Sequence, residues 1–260
     1  MALEALSGKQ RRKKLDEIRD ACRAYIQDPL LERLRQCAVV EIGPDQFRLE
    51  IDPDDPDGQT ILFWYPVATQ RENDYIRSAV KIEAGAKSAL DPHTLATVTP
   101  YVNDDLQVHD LSVHNVTTVE AERTFWDKVV ILHGLRQWYD KRRLLRQGGQ
   151  RVSRHYYDVY QLMQSLAAEQ WLNNRQLAAD CARHARLFFG SPDLGLETAA
   201  HGSFTLSPSP AMIEALKKDY SAMAGMIFGA VPDFEAVLRQ ISDIERTLNK
   251  PDAGEGGELE

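Results

Sequence analysis

Two stretches of the chain carry charged side chains on patterns that predict half-buried helices. Lys128 lies beside an apolar repeat, and Arg154 and Asp158 are at positions i and i+4 of a second pattern. The apolar repeat consists of Phe125, Val129, Leu132 and Leu135. A lysine, an arginine and a carboxylate held next to a core are suited to binding a polyanion such as a phosphate chain. The simpler alternative is that Lys128 extends its ammonium into water and Arg154 forms an ordinary helix ion pair with Asp158.

The elements around these residues can be predicted from the same pattern. The first helix is predicted to begin with a capping box, because Thr117 precedes Glu120 by three residues. The second helix is predicted to pack through Tyr157, Tyr160 and Leu162. Both helices would therefore present their charged residues at the edge of a core.

Longer runs of the sequence support a resemblance. The chain contains, in this order, YIRSAVKIEAGAKSALDPHTLATVTPYV, VTTVEAERTFWDKVVILHGL and RHYYDVYQLM. These runs resemble the nucleotidyltransferase family of AbiEii/AbiGii toxins, which are toxins of type IV toxin-antitoxin and phage-abortive systems. The earlier run LSGKQRRKKLDEIRDACRAYIQDPL resembles a helical insert of longer family members.

The resemblance implies roles for individual residues. It implies that Lys128 contacts a nucleoside triphosphate, that Asp158 belongs to the active site, and that Arg154 lies beside it at the phosphates. Glu83 would be a third acid and a metal ligand, and Lys87 would bind phosphate in the same cleft. The implied cofactor is Mg²⁺, the implied substrates are an NTP and an RNA such as tRNA, and the implied partner is a cognate antitoxin of the AbiEi type.

Glu83 also has a structural alternative. Apolar residues at 80, 82 and 84 alternate with Lys81 and Glu83, so both charged side chains should project from one face of a strand. On that face Glu83 could simply pair with Lys81. The pattern leaves both roles open.

One part of the family pattern does not occur in this sequence. Family members carry a Gly-Gly-Thr-Ser-Leu-Ser-Lys type motif and a Ser-x-Asp-x-Asp type strand, whose carboxylates hold the metal. The acidic run at 52–58, DPDDPDG, is predicted to be a turn because of its prolines and glycine. Two hypotheses follow: a toxin that transfers nucleotides in its full-length form, or a catalytically inactive, truncated remnant that binds nucleotide, RNA or antitoxin.

A basic segment joins the two helices. Arg142, Arg143 and Arg146 lie close to Trp138 and Tyr139, and cations next to aromatic rings are suited to binding an RNA end. A solvated helix and loop would have the same composition. The net charge of −8 argues against a protein that coats nucleic acid generally.

The predicted fold class is α+β, a nucleotidyltransferase-like mixed sheet, N-terminally incomplete, followed by a C-terminal helical bundle. The predicted domains are residues 1–116, residues 117–250 and a disordered tail at 251–260. A long helix at 7–36 should start with a capping box of Ser7 and Gln10 and bend near Pro29. The predicted strands are VVEIG, QFRLEID, TILFWYPV, SAVKIEA and LQVHDLSV.

The composition is that of a globular protein, with 43% hydrophobic and 27% charged residues among 260. No secretory signal or membrane span is apparent, and the three cysteines are scattered, so a cytoplasmic protein with reduced thiols is expected. Cys181 and His184 have the spacing of half a metal site, but no second pair accompanies them. They are therefore expected to be ordinary helix residues.

Overall fold

The structure, a computed structural model, describes residues 3–66, 78–106, 110–146 and 151–251. Backbone contacts divide the chain into two compact units, Met1–Ser88 and Ala89–Glu260. Helices and strands occur in both, so the predicted α+β class is confirmed. The unit boundary falls after Ser88, whereas the sequence pattern favours a boundary after residue 116, and the functional domain division stays a prediction.

The first unit begins with a helical run that is interrupted at Pro29. The predicted capping box is present, because Ser7 Oγ accepts the Gln10 N–H and Gln10 Oε1 accepts the Ser7 N–H. The run comprises α1 (Gly8–Tyr25), a π-helical segment (Ile26–Leu30) and α2 (Leu31–Ile42). Proline has no N–H to donate, and the wider π turn occurs where the α-helical bonding is interrupted.

The predicted strand VVEIG is wrong. Its residues form the last turns of α2, which ends only at Gly43, where φ is +89°. No helix breaker precedes that glycine, so the helix continues through the β-branched residues. Val40 is 81% exposed, which shows that this apolar segment is not part of the unit's core.

A three-stranded antiparallel sheet completes the first unit. Its strands are β1 (Arg48–Ile51), β2 (Thr60–Trp64) and β3 (Ala79–Glu83), in the order β1-β2-β3. They confirm three of the predicted strands. Ile26 of the π segment packs with Leu49 and Ile61 as the buried centre of this unit. Burial of these side chains holds the helical run against the sheet.

A two-stranded antiparallel sheet begins the second unit. It pairs β4 (His93–Val98) with β5 (Val113–Val119). β4 is absent from the strand predictions. The predicted strand LQVHDLSV overlaps β5 only at Val113, and its residues 107–109 lie outside the described part of the chain.

The rest of the second unit is helical, and its core surrounds α3. The helices are α3 (Ala121–Arg142), α4 (Arg154–Leu162), α5 (Ala168–Trp171), α6 (Arg175–Phe189), α7 (Pro210–Met223) and α8 (Phe234–Leu248). α3 packs against both α4 and α6, and α4 also packs against α8. The predicted tail falls mainly on residues 252–260, which are outside the described residues. Among the described helices, none has both the length and the apolar character of a membrane span.

Candidate active site

The start of α3 differs from the predicted capping box. Thr117 lies within β5 and pairs with Leu95 of β4, so it is not available as a cap. Glu120 is the N-cap residue, and no side-chain hydrogen bond caps the helix there. The strand pairing takes precedence over the local cap, and α3 therefore follows β5 almost directly.

The apolar stripe of α3 positions Lys128 as predicted. Phe125, Val129 and Leu132 are completely buried, and Leu135 is nearly so. The side chain of Lys128 is 22% exposed, because it lies at the border of this stripe. Its ammonium group is therefore partly shielded from water and still accessible.

α4 packs through residues that the pattern did not identify. Tyr156 and Val159 are completely buried, whereas Tyr157 and Tyr160 are only half-buried. The i, i+3 spacing of the two buried residues could have shown which face is apolar. With that face inside, Arg154 is exposed at the first position of the helix, and Asp158 is half-buried.

Lys128 and Asp158 meet between the two helices. Lys128 Nζ lies 2.5 Å from Asp158 Oδ2, and it lies 3.4 Å from Nδ1 of His155. The alternative pairing of Arg154 with Asp158 does not occur, since the ion pair of Asp158 within the described residues is with Lys128. A pair formed from two packed helices loses less side-chain entropy than one between exposed side chains on one helix.

His155 is a member of this cluster that the sequence pattern did not single out. Burial, together with the positive charges of Lys128 and Arg154, lowers the pKa of His155 to about 3. The imidazole is therefore neutral at physiological pH, and its Nδ1 can accept a hydrogen bond from the ammonium of Lys128. Its position in the run RHYYDVYQLM, three residues before Asp158, was the available signal.

Glu83 lies in the other unit and pairs with Lys81. The two side chains share one face of β3, as predicted, and Lys81 Nζ is 2.9 Å from Glu83 Oε1. The same ammonium is 3.4 Å from Asp52, whose side chain is 2% exposed. Partial burial opposes it, but the two carboxylates hold the pKa of Lys81 above its usual value. The pairing alternative for Glu83 is therefore present in the structure.

Lys87 forms an ion pair in this unit as well. Its Nζ lies 2.6 Å from Asp57 Oδ2, in the acidic turn between β1 and β2. Lys87 and Glu83 belong to the first unit, and Lys128, Arg154 and Asp158 belong to the second. The structure brings Lys128 and Asp158 together, and a common cleft with Glu83 and Lys87 stays a prediction.

The acidic run at 52–58 is the predicted turn, and two of its carboxylates, those of Asp52 and Asp55, accept backbone N–H groups of nearby residues. Asp55 accepts the Thr60 hydroxyl and the N–H groups of Gln59 and Asp57. Although burial opposes the shift, these hydrogen bonds lower the pKa of Asp55. Carboxylates engaged in this way stabilise the turn.

The donor groups near Glu83 do not fit a magnesium site by themselves. Mg²⁺ requires oxygen ligands, and here the ammonium of Lys81 occupies the space between Glu83 and Asp52. The described residues contain no group of three or more His, Cys, Asp or Glu side chains placed to hold a metal ion. A metal role for Glu83 stays a prediction. Cys181 and His184 both lie on α6, where Cys181 is buried and the ring of His184 lies against Phe188.

The basic segment forms a cluster around Trp138. The guanidinium carbons of Arg142 and Arg146 lie 5.7 and 5.2 Å from the Trp138 ring centroid. Arg142 also pairs with Asp193 at 2.6 Å. Arg143 ends α3 in the left-handed conformation. All three arginines are exposed, and their binding of RNA stays a prediction.

Comparison with known proteins decides the family. A family model described as nucleotidyl transferase AbiEii toxin, type IV toxin-antitoxin system, matches residues 4–240. The chain belongs to the AbiEii toxin family. No curated protein matches it, and no solved structure does.

AbiEii membership agrees with the resemblance on which the roles of Lys128 and Asp158 depend. The matched range includes α3 and α4, and hence Lys128, His155 and Asp158. The family is one of nucleotidyltransferase toxins of type IV toxin-antitoxin systems, so membership implies a nucleotide substrate and an antitoxin partner.

Proposed function

We propose that this AbiEii toxin transfers nucleotides from an NTP to an RNA acceptor such as tRNA, and that Lys128 and Asp158 are central to its active site. The observation that carries the proposal is the contact of Lys128 with both Asp158 and His155 between α3 and α4. The setting implied by the family resemblance is abortive phage infection in the cytoplasm, with an AbiEi-type antitoxin as partner.

The geometry supports a phosphate-binding role for Lys128. An ammonium group has three N–H donors, and within the described residues Asp158 and neutral His155 accept two of them. The third is available for a phosphate oxygen. Partial burial strengthens such a contact, because charges interact more strongly where water is partly excluded.

Asp158 has two functions in this proposal. It fixes the direction of the Lys128 ammonium, and its half-exposed carboxylate can orient the attacking hydroxyl or a water molecule. Arg154 is exposed at the first position of the same helix. In this proposal its guanidinium adds positive charge where the phosphates approach the site.

The exposed arginines of the Trp138 cluster support RNA as the acceptor. Arg142, Arg143 and Arg146 can each neutralise a phosphate of the RNA backbone. Since Arg142 and Arg146 cover Trp138, they would have to move before a base could stack on the indole. Backbone contacts are therefore the proposed mode of binding.

A second candidate function is binding of nucleotide, RNA or antitoxin without transfer. It is favoured by the donor set, because neither a Ser-x-Asp-x-Asp motif in the sequence nor a carboxylate cluster among the described residues accompanies the Lys128 site. Incubation of the full chain with labelled NTPs, Mg²⁺ and tRNA separates the two candidates. Labelled RNA supports transfer, whereas NTP binding without labelled RNA supports the second candidate.

A further inference from the structure

A buried carboxylate on α7 holds the segment that precedes α4. Asp219 is 6% exposed. Its Oδ1 accepts the N–H of Arg151 at 2.7 Å. Its Oδ2 accepts the N–H of Ser153 at 2.7 Å and the hydroxyl of Ser153 at 2.6 Å. Three hydrogen bonds to one buried carboxyl group restrain the backbone of residues 151–153.

The backbone of this segment needs such a restraint. Arg151 has φ of +58°, a conformation that is unfavourable for a residue with a side chain. Ser153 is the N-cap residue of α4, but its hydroxyl bonds to Asp219 and does not cap the helix. Asp219 therefore fixes the backbone at Ser153, the residue from which α4 begins.

His155 is only two residues from Ser153. It lies in the first turn of α4, and its Nδ1 is 3.4 Å from Lys128 Nζ. Asp158 lies one turn further along, next to the completely buried Val159. The first turn is the part of a helix that frays most readily, so the position of His155 depends on the start of α4 more than that of Asp158 does.

We propose that Asp219 is a positioning residue for the active site, because its three hydrogen bonds fix the first turn of α4 and with it the place of His155 beside Lys128. The consequence for nucleotide binding rests on the proposed function. The consequence for His155 itself does not. Without Asp219, His155 would leave its shielded position, and Lys128 would lose one of its two acceptors.

The test uses the full chain with Asp219→Ala and Asp219→Asn. The matched control is Glu245→Gln, because Glu245 also accepts two backbone N–H groups, those of Leu206 and Ser207, and among the described residues it makes no hydrogen bond to 151–153. NMR titration of the imidazole, assigned with His155→Gln, reports its environment, which includes Lys128, Arg154 and Asp158. Binding of each NTP with Mg²⁺ is measured on the same proteins.

We expect Asp219→Ala to raise the pKa of His155 from about 3 by at least one unit and to weaken NTP binding about tenfold. Glu245→Gln should leave both unchanged even if it lowers the melting temperature as much. A folded Asp219→Ala protein with an unchanged His155 titration overturns the proposal. If that variant does not fold, Asp219→Asn decides, since its amide keeps one acceptor oxygen and should give a smaller shift. If the wild type binds no NTP, the proposed function fails, but the titration still decides the role of Asp219.

Discussion

Each unit of the molecule contains a lysine that contacts two acceptors. The two lysines differ in how deeply their aspartate partners are buried. Lys81 contacts Asp52 and Glu83 on the sheet of the first unit. Lys128 contacts Asp158 and His155 between two helices of the second unit. Lys81 therefore contacts two carboxylates, whereas Lys128 contacts one carboxylate and one imidazole.

The difference lies in the burial of the partner. Asp52 is 2% exposed, so removal of Lys81 would take a cation away from a buried carboxylate. Asp158 is 34% exposed and can be solvated without Lys128. We therefore expect the charge of Lys81 to contribute more to stability than that of Lys128, which the proposed function assigns to a ligand.

The largest expected effect is on catalysis. If the proposed active site is correct, Lys128→Met and Asp158→Asn should each lower nucleotidyl transfer at least about 100-fold, because each removes a charged contact from it. Labelling of tRNA by radioactive NTP measures this loss. Lys217→Met is the matched control, since Lys217 forms a similar ion pair with Glu235 on the surface, and it should keep full activity. Equal losses in Lys128→Met and Lys217→Met would contradict the special role of Lys128.

The next effect is on stability. Here the Lys81 variant should lose more than the Lys128 variant. Lys81→Met should lower the free energy of unfolding by about 1 to 2 kcal/mol, because it leaves Asp52 buried without this partner. Lys128→Met should change it by less, since Asp158 can be hydrated. Urea unfolding of both variants gives the two values. A larger loss for Lys128→Met would show that the comparison between the two lysines is wrong.

A third prediction concerns acid. His155 has a folded-state pKa of about 3, against 6.5 for the ordinary group, so the unfolded chain binds a proton between these pH values that the folded chain does not. The free energy of unfolding should therefore fall as the pH decreases from about 6.5 towards 3, by up to about 1.4 kcal/mol per pH unit. His155→Gln should lose this part of the slope in urea unfolding at a series of pH values. An unchanged slope would place His155 outside the shielded cluster.

The smallest effect distinguishes two arginines. Arg146→Ala should weaken tRNA binding about threefold. The slope of the logarithm of the affinity against the logarithm of the salt concentration should become shallower by the amount of about one phosphate contact. Arg142→Ala should weaken it less, because Asp193 already neutralises part of the charge of Arg142. Filter binding at several salt concentrations measures both. A greater loss for Arg142→Ala would indicate that the Asp193 pair opens when RNA binds.

The pattern predicted the parts of the site that depend on local periodicity. The apolar stripe of α3 placed Lys128 at the border of the core, and the alternation in β3 placed Lys81 and Glu83 on one face. α8 lies within the predicted C-terminal helical bundle, and its buried residues recur at helical spacing.

Contacts between distant segments could not be predicted in this way. The choice of Asp158 between Lys128 and Arg154 depends on how α4 rotates against α3, which the burial of Tyr156 determines. Thr117 was misplaced because a cap and a strand compete for the same residue, and pairing with Leu95 is a long-range contact. The hydrogen bonds of Asp219 to residues 151–153 join residues more than 60 positions apart, so no local sequence pattern predicts them.

The π-helical segment at Ile26–Leu30 has a consequence for the phase of the whole helical run. A single π turn acts as the insertion of one residue, which rotates everything after it by about 100° relative to an uninterrupted helix. Ile26 is buried against the sheet, while Val40, fourteen positions later, is 81% exposed. In a straight helix Ile26 and Val40 would lie on nearly the same side. The π turn places them on different sides. Deletion of one residue within Ile26–Leu30 should therefore give a continuous α-helix in which the buried and exposed faces of α2 stay where they are.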